Sequence, residues 1–461
     1  MTIRLPAKEL KQALTGLLKI LPRKGTRSML QGIRIEAAEN TVRLTATDLD
    51  STVYYACTSA TVREPGVTVI ADARRLKELV AEATRDEAQL SVINEQTVGL
   101  TLYGERGERE HLLPTADFVD WPADPTPVVV KATDPLFLKR YQTLIPFAST
   151  DASRAILTGI CVDVTDAQHT LVATDGRRLL ACNSITLPVD TSCVLPANKF
   201  LASLNAEDTC RLGLSKDLTR FQIETGPWTC VGKTIEGTYP NWRQVIPQDG
   251  ACGIDLHEDD LPILKEVVRT FPVSDPSGRP LYIERQGPQA GLAACDPATG
   301  AWSHQALPKS NGYGKGTCVN RTYLHDAVKA GFRRFRWQDE RSPLVARNDD
   351  GGTCVLMPLR ADVPPTSTSR TPKPKTTNTK PQKENKPVIK TNEESPPNAD
   401  AGRVEQLWLS YQAVRDRVRE LNGALSELGD QLREVRKADK GVRAELKNAR
   451  GVLAKLQNMS I

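Results

Sequence analysis

One block of this chain occurs twice at an offset of 127 residues. Leu30-Gln31-Gly32-Ile33 precedes Ala46-Thr47-Asp48 by the same interval that separates Leu157-Thr158-Gly159-Ile160 from Ala173-Thr174-Asp175. In the second copy the runs Ile160–Val164 and Thr170–Ala173 read as β-strands joined by a polar turn. Thr174-Asp175-Gly176-Arg177-Arg178-Leu179-Leu180 follows, a short loop offering a glycine, two guanidinium groups and two leucines, the makings of an apolar cleft with a polar lip. Helix-like segments recur as well. Ile70–Leu76 has a counterpart in Leu195–Leu201 and a fainter one in Val319–Leu324. A chain built this way reads as three similar domains in tandem, with boundaries expected at 1–126, 127–252 and 253–361.

Length agrees, since 461 residues suffice for about three domains of roughly 150 residues each. With 39% hydrophobic and 5% aromatic residues, the domains are expected to be small and strand-rich. Each domain opens on an amphipathic helix. In the first, Leu10, Leu14, Leu17 and Leu18 form one apolar face and Pro22 stops the helix. Further helices are expected at 73–83, 135–146, 198–205, 259–270 and 321–332. Nearly all of them bring cations, including Lys77, Lys139, Lys199, Lys265 and Lys329.

Charge is unevenly spread. Residues 362–461 hold 19 Lys/Arg against 13 Asp/Glu, whereas residues 1–361 hold 42 against 43. Helix-borne cations on a neutral body imply one positive surface with the acids elsewhere. From Val363 the composition turns to Pro, Thr, Lys and Asn, which cannot build a core and reads as a disordered basic linker over 362–400. Residues 401–461 then follow a heptad, with a positions from Val404 to Leu453 and d positions from Leu407 to Leu456. Fifteen of these sixteen positions are apolar or aromatic, Asp439 being the exception. That pattern predicts a coiled coil; a single amphipathic helix folded back on the body is the other arrangement it allows.

Several function classes are disfavoured. No run approaches the roughly 20 apolar residues of a membrane span, and the first residues lack an apolar signal core, so a soluble, cytoplasmic protein is expected. None of the ten cysteines stands in C-x-x-C spacing, which suits buried reduced thiols better than a metal site. There is no phosphate-binding loop, metalloprotease helix or nucleophile elbow. Asp48 and Asp175 could be offered as a carboxylate pair, but their repeated strand-end setting fits capping of backbone N–H groups. No catalytic residue, cofactor or metal is expected.

With these residues in view, residues 1–361 resemble the β sliding clamp of bacterial DNA polymerase III. The resemblance is carried by Thr174-Asp175-Gly176-Arg177-Arg178-Leu179, like the family's T-D-G-H-R-L, by Tyr239-Pro240-Asn241-Trp242-Arg243-Gln244-Val245-Ile246-Pro247, and by Met357-Pro358-Leu359-Arg360, like its M-P-x-R. It implies an α+β fold of three clamp domains per subunit, paired as a homodimeric ring with helices lining the hole and antiparallel sheets outside. It implies a DNA sliding clamp that encircles duplex DNA without reading sequence and tethers a polymerase and clamp-loader subunits through short peptides. Candidate DNA contacts are then Arg23, Lys24, Arg27, Lys77, Lys139, Lys199, Lys265 and Lys329. The candidate peptide cleft comprises Arg154, Leu157, Thr174, Gly176, Arg177, Leu179, Pro240, Gln244, Val245, Val355, Met357, Pro358, Leu359 and Arg360. Taken singly, Leu157, Val245 and Val355 also suit an ordinary core.

The sequence departs from the family in places. Arg177 stands for its histidine and Gln244 for its arginine. Glu108-Arg109-Glu110 makes an edge strand polar, which implies a weaker subunit interface. A hundred residues follow Ala361, where the family ends. The tail is expected to concentrate subunits or recruit a helical partner. The alternative function is a clamp-derived scaffold or regulator whose coiled coil recruits a partner or which competes with an ordinary clamp.

Overall fold

In the computed structural model, the described residues are 2–360, except 23–27, 39–40, 64–65, 67, 82–86, 95–96, 105–106, 116–120, 167 and 274–277. The linker and the heptad region therefore lie outside the described residues, as do Arg23, Lys24 and Arg27.

The body is six copies of one pattern, a strand, a helix and three strands. The first is β1 (Thr2–Pro6), α1 (Ala7–Leu17), β2 (Gly32–Ala37), β3 (Val42–Thr47) and β4 (Ser51–Cys57). A short β5 (Thr61–Arg63) leads to β6 (Thr68–Asp72), α2 (Ala73–Ala81), β7 (Glu87–Asn94), β8 (Thr97–Gly104) and β9 (Gly107–Pro114). The third copy is β10 (Lys131–Ala132), α3 (Phe137–Leu144), β11 (Gly159–Thr165), β12 (Gln168–Thr174) and β13 (Arg178–Ile185). The fourth has β14 (Cys193–Pro196), a 3-10 turn at Leu201–Ser203, β15 (Cys210–Leu214), β16 (Arg220–Thr225) and β17 (Trp228–Lys233). The fifth is β18 (Cys252–Asp255), α4 (Leu261–Thr270), β19 (Pro280–Gln286), β20 (Gln289–Cys295) and β21 (Trp302–Tyr313). The last is β22 (Thr317–Asn320), α5 (Arg321–Lys329), β23 (Arg334–Trp337), β24 (Leu344–Arg347) and β25 (Gly352–Leu356). Consecutive pairs of copies make three repeats.

The helix expected at 198–205 is only that 3-10 turn. Asn198 Oδ1 accepts from the Leu201 N–H at 2.8 Å and Ser203 Oγ donates to the Phe200 carbonyl at 2.6 Å, local bonds that compete with a helical ladder. The helix expected at 321–332 ends at Lys329, where Gly331 takes a left-handed φ of 96°.

The sheets run across the repeats. One holds β5-β1-β7-β8-β9; the second runs β10-β15-β16-β17-β4-β3-β2-β6; the third runs β14-β11-β12-β13-β25-β24-β23-β18-β21-β20-β19-β22. Two ladders therefore join repeats, β4 with β17 and β13 with β25. Both use one register: Ser51 faces Gly232 and Tyr55 faces Trp228, as Arg178 faces Leu356 and Cys182 faces Gly352. The final strands of the other two copies, β9 and β21, have no such partner among the described residues.

A single core underlies all three repeats. Leu10, Leu14 and Leu17 of α1, Leu76 and Val80 of α2, Leu138 and Tyr141 of α3, Leu264 and Val267 of α4, and Leu324 and Val328 of α5 all enter it. Each such side chain contributes about 1.5–3 kcal/mol by leaving water. Strand alternation sends the remaining side chains to the opposite face. On β12 and β13, Leu171, Ala173 and Leu180 join the helices, whereas Val172, Leu179 and Ala181 form a separate cluster.

Candidate functional site

The candidate cleft lies on the face opposite the helices, where β13 meets β25. Leu179 and Val355 are cross-strand partners and both are buried. With Val172 and Cys161 they make an apolar floor against which Ile156, Ile235, Tyr239, Trp242 and Ile246 pack. The last three belong to the connector that follows β17. Asp163 on β11 fixes that connector, accepting at 2.6 Å from both Trp242 Nε1 and Arg243 Nη1. Trp242 and Ile246 face inward, and the 3-10 turn at Trp242–Val245 leaves Gln244 and Val245 outside. Val245 is 57% exposed and Met357 44% exposed, so neither is core. Leu157 is buried, as a core reading allows; Pro240 is exposed and Pro358 half-buried.

The Thr174–Leu179 turn is built by its own polar groups. Thr174 Oγ1 donates to the Arg178 carbonyl at 2.6 Å and accepts from the Gly176 N–H at 3.1 Å. Asp175 Oδ1 accepts from the Arg177 and Arg178 N–H groups at 2.8 and 3.0 Å. Asp48 does the same for Asp50 and Ser51 at 3.0 and 2.7 Å. Both carboxylates are thus caps, as their setting in the sequence implies. Gly176 has φ 85°, a left-handed conformation that glycine takes at least cost, and a Cβ there would stand 3.0 Å from the Arg154 guanidinium. The Arg177 carbonyl accepts from the Met357 N–H at 2.9 Å, tying the turn to the strand beyond.

Arg154, Arg177 and Arg360 are all exposed. Arg154 pairs with Asp151 at 3.4 Å. The result is an apolar floor with two exposed apolar lips and cationic surroundings, suited to an extended peptide with apolar anchors. Leu359 does not belong to this cluster. Its N–H donates to the Cys318 carbonyl at 2.7 Å and its side chain packs with Tyr282, Ala293 and Cys318, because the chain after Met357 crosses toward β22.

Sequence reasoning passes over two residues of the site. Asp163, which holds the connector, sits mid-strand and carries no motif. Arg178 joins the repeats, donating to Asp175 at 3.1 Å and to Asp326 on α5 at 2.6 Å. A second arginine beside Asp175 is the visible signal for it.

Of the candidate DNA-contacting cations, the five among the described residues lie on helices or beside one. Lys139, Lys265 and Lys329 are exposed on α3, α4 and α5; Lys199 is exposed just before the 3-10 turn; Lys77 on α2 is half-buried. Among the described residues none of the five makes an ion pair. No group of three or more His, Cys, Asp or Glu among the described residues is arranged to hold a metal, and no helix there is long and apolar enough to cross a membrane.

No protein-family model matches the chain. The β sliding clamp of Chlamydia trachomatis is 27% identical over 271 residues, spanning 57% of this chain and 64% of that protein. That of Caulobacter vibrioides is 26% identical over 369 residues, 76% of this chain and 97% of the relative. Among solved structures, the DNA polymerase sliding clamp of Bacillus subtilis matches with a TM-score of 0.66 at 19% identity, covering 78% of this chain and 100% of that one. The DNA polymerase III subunit β of Borrelia burgdorferi matches with a TM-score of 0.68 at 18% identity, covering 78% and 99%. The sequence relatives support the DNA polymerase III β family, and the solved structures share its fold.

Proposed function

We propose that this protein is a DNA sliding clamp, a non-catalytic processivity factor in which two copies close into a ring around duplex DNA. The observation that carries the reading is the register shared by the β4–β17 and β13–β25 ladders. A third ladder of the same kind, between β21 and β9 of a second copy, uses the two final strands left over. It sets Trp302 against Glu110, Ser303 against Arg109 and His304 against Glu108. The two contacts are related by a twofold axis and use up both leftover strands, so assembly stops at two copies.

In such a ring the helix layer faces the hole. Lys77, Lys139, Lys199, Lys265 and Lys329, with Arg23, Lys24 and Arg27, supply loose, sequence-independent attraction to phosphate. Retention is topological, so the contacts remain weak enough for sliding. The β13–β25 cleft docks apolar-anchored peptides of the polymerase and clamp loader, and the heptad region concentrates subunits or a helical partner.

The test is retention on DNA of different topology. Full-length protein loaded onto nicked circular plasmid is expected to co-elute with it in gel filtration and to be lost once the plasmid is cut to a linear form. Equal retention on both forms refutes encirclement.

A further inference from the structure

The ladder proposed between copies differs in kind from the two that join repeats within the chain. Trp302 pairs with Cys295 across its hairpin as Thr52 pairs with Thr47 and Leu179 with Thr174. Two residues on, His304 takes the place of Tyr54 and Ala181. On the opposing strand Gly107 pairs with Gly104 as Trp228 pairs with Thr225, so Glu108 takes the place of Thr229. Within the chain this position is a Tyr54–Thr229 or an Ala181–Thr353 pair, neither of which changes charge near neutral pH. Between copies it is His304 opposite Glu108.

His304 already has a carboxylate behind it. Its Nδ1 lies 3.0 Å from Glu284 Oε1 on β19, with the histidine side chain 40% exposed and that of Glu284 19%. A carboxylate only accepts, so the neutral ring donates through Nδ1 and keeps Nε2 as an acceptor. On β20 the facing residue is Ala293, which has no polar side chain to offer, and the Trp302 ring lies beside the imidazole at 6.4 Å between centroids. Across the contact the facing side chain is Glu108 of the second copy, and Cβ atoms of such a pair stand about 4.5–5.5 Å apart. A neutral Nε2 and a carboxylate are two acceptors. Protonation makes Nε2–H a donor and sets one positive charge between two carboxylates.

The other titratable groups on this face are Tyr282 on β19, whose hydroxyl burial pushes up, and, in the second copy, Glu110 and Tyr103 beside Glu108. Tyr103 is the β8 partner of Glu108 and donates to Gln89 at 3.2 Å. Arg109 and His111 alternate to the opposite face of β9, the one from which Leu113 enters the core.

We infer that the β9–β21 contact is proton-gated: two copies pair through it more tightly when His304 is charged, and the contact loosens as pH rises through the range in which a histidine loses its proton. This rests on the proposed ring. The sign follows from linkage, since a closed contact that favours the charged imidazole binds its proton more tightly than an open one and gains strength as pH falls. Two partly exposed ion pairs sharing one imidazole correspond to about fivefold in the opening equilibrium of each contact. The two junctions within the chain carry no such pair, so acidity acts only on the ladder that opens.

The N–H groups of β9 that β8 leaves unbonded are protected only when β21 of a second copy covers them. Amide exchange over residues 107–114 is followed by mass spectrometry in full-length protein, at a concentration beyond which protection no longer rises, and expressed at pH 6 and pH 8 relative to the intrinsic rate at each pH. Protection is expected to be about fivefold greater at pH 6, while the β2–β3 ladder shows no such difference. His304→Gln, polar and unable to charge, is expected to abolish the difference, and Glu108→Gln to reduce it, since Glu284 remains. Absence of protection over residues 107–114 at both pH values overturns the ring and the inference with it. Protection that is equal at both, or a difference that survives His304→Gln and so belongs to His111, overturns the inference alone.

Discussion

Replacing Arg178 by alanine tests what holds the second junction together. Its guanidinium donates through Nε to Asp175 at 3.1 Å and through Nη1 to Asp326 at 2.6 Å, with Nη2 on the Pro146 carbonyl. The group lies 4.2 Å from the Tyr323 ring centroid and 5.0 Å from that of Phe147, and its side chain is 9% exposed. Removing one member of a buried ion pair costs about 3–5 kcal/mol, because the surviving charge is stranded. Asp175 and Asp326 keep 14% and 21% side-chain exposure. Water reaches them, so the lower end, about 3 kcal/mol, applies. The ring contacts add about 1 kcal/mol.

That loss falls on the β13–β25 ladder, which the guanidinium ties to α5. A drop of about 3–4 kcal/mol raises amide exchange there by a few hundredfold at roughly 1.4 kcal/mol per decade, in full-length protein followed by mass spectrometry. The β2–β3 ladder in the first repeat is expected to be unaffected. Arg178→Lys keeps the charge but cannot fork to two carboxylates, so its effect is intermediate. Arg178→Ala with β13–β25 exchange unchanged relative to β2–β3 refutes the reasoning.

Burial pushes the thiols of Cys57, Cys161, Cys193, Cys230 and Cys318 up to about 12, and those of Cys182 and Cys210 up to about 11. These seven are therefore expected to resist alkylation in the native protein near pH 8 and to react after unfolding, as read by mass spectrometry. The Ser215 and Thr219 hydrogen bonds hold the Asp217 carboxyl down to about 2. A folded value below the unfolded one adds stability that is present above about pH 4 and disappears as pH falls toward 2. Asp217→Ala is thus expected to melt below the parent at neutral pH, with the gap closing over that acid range. At Gly16 on α1 an added Cβ would stand 2.3 Å from the Trp228 ring; Gly16→Ala is expected to cost about 1–3 kcal/mol by overpacking, measured by urea denaturation.

The first two repeats are legible in the sequence because the Thr-Asp turn and the Leu-x-Gly-Ile strand entry are short-range signals, whereas the third shows only in the fainter match at Val319–Leu324. The sixfold pattern beneath the repeats is not legible. Its copies differ in helix length, and Asn198 and Ser203 reduce one helix to a turn while the strand order survives. The pairings that join repeats are equally hidden, since a register between Ser51 and Gly232 depends on backbone placement across 181 positions. Arg178 and Asp326 stand 148 apart, and nothing local links them. The cleft is legible in part. Leu179 and Val355 make its floor, whereas the exposure of Val245 and the departure of Leu359 toward Cys318 follow from how two chain segments turn. Aligning Ala46-Thr47-Asp48-Leu49 with Ala173-Thr174-Asp175-Gly176 places a leucine opposite a glycine, and only the fold shows that both hold positive φ, 79° and 85°.

The junctions share a backbone solution and differ in what secures it. At the first, Trp228 is the knob. It packs edge-on to Tyr55 at 4.5 Å and to Phe200 at 5.0 Å, and its ring sits in the notch that Gly16 leaves on α1. At the second, Gly352 replaces Trp228 in the register and Arg178 replaces Ser51, so the aromatic knob is lost and an ionic bridge to α5 appears on the other strand. Either device holds two repeats across one ladder, but their consequences for the neighbouring turn differ. The aromatic knob lies three residues from the Thr52–Val231 pair, away from the turn that holds Leu49 at φ 79°. The arginine issues from the turn itself, and the Asp175 carboxylate that caps the turn also accepts from its Nε at 3.1 Å. The first junction thus carries its anchor on β17 and a leucine at the turn's positive-φ position, the second its anchor on β13 and a glycine there.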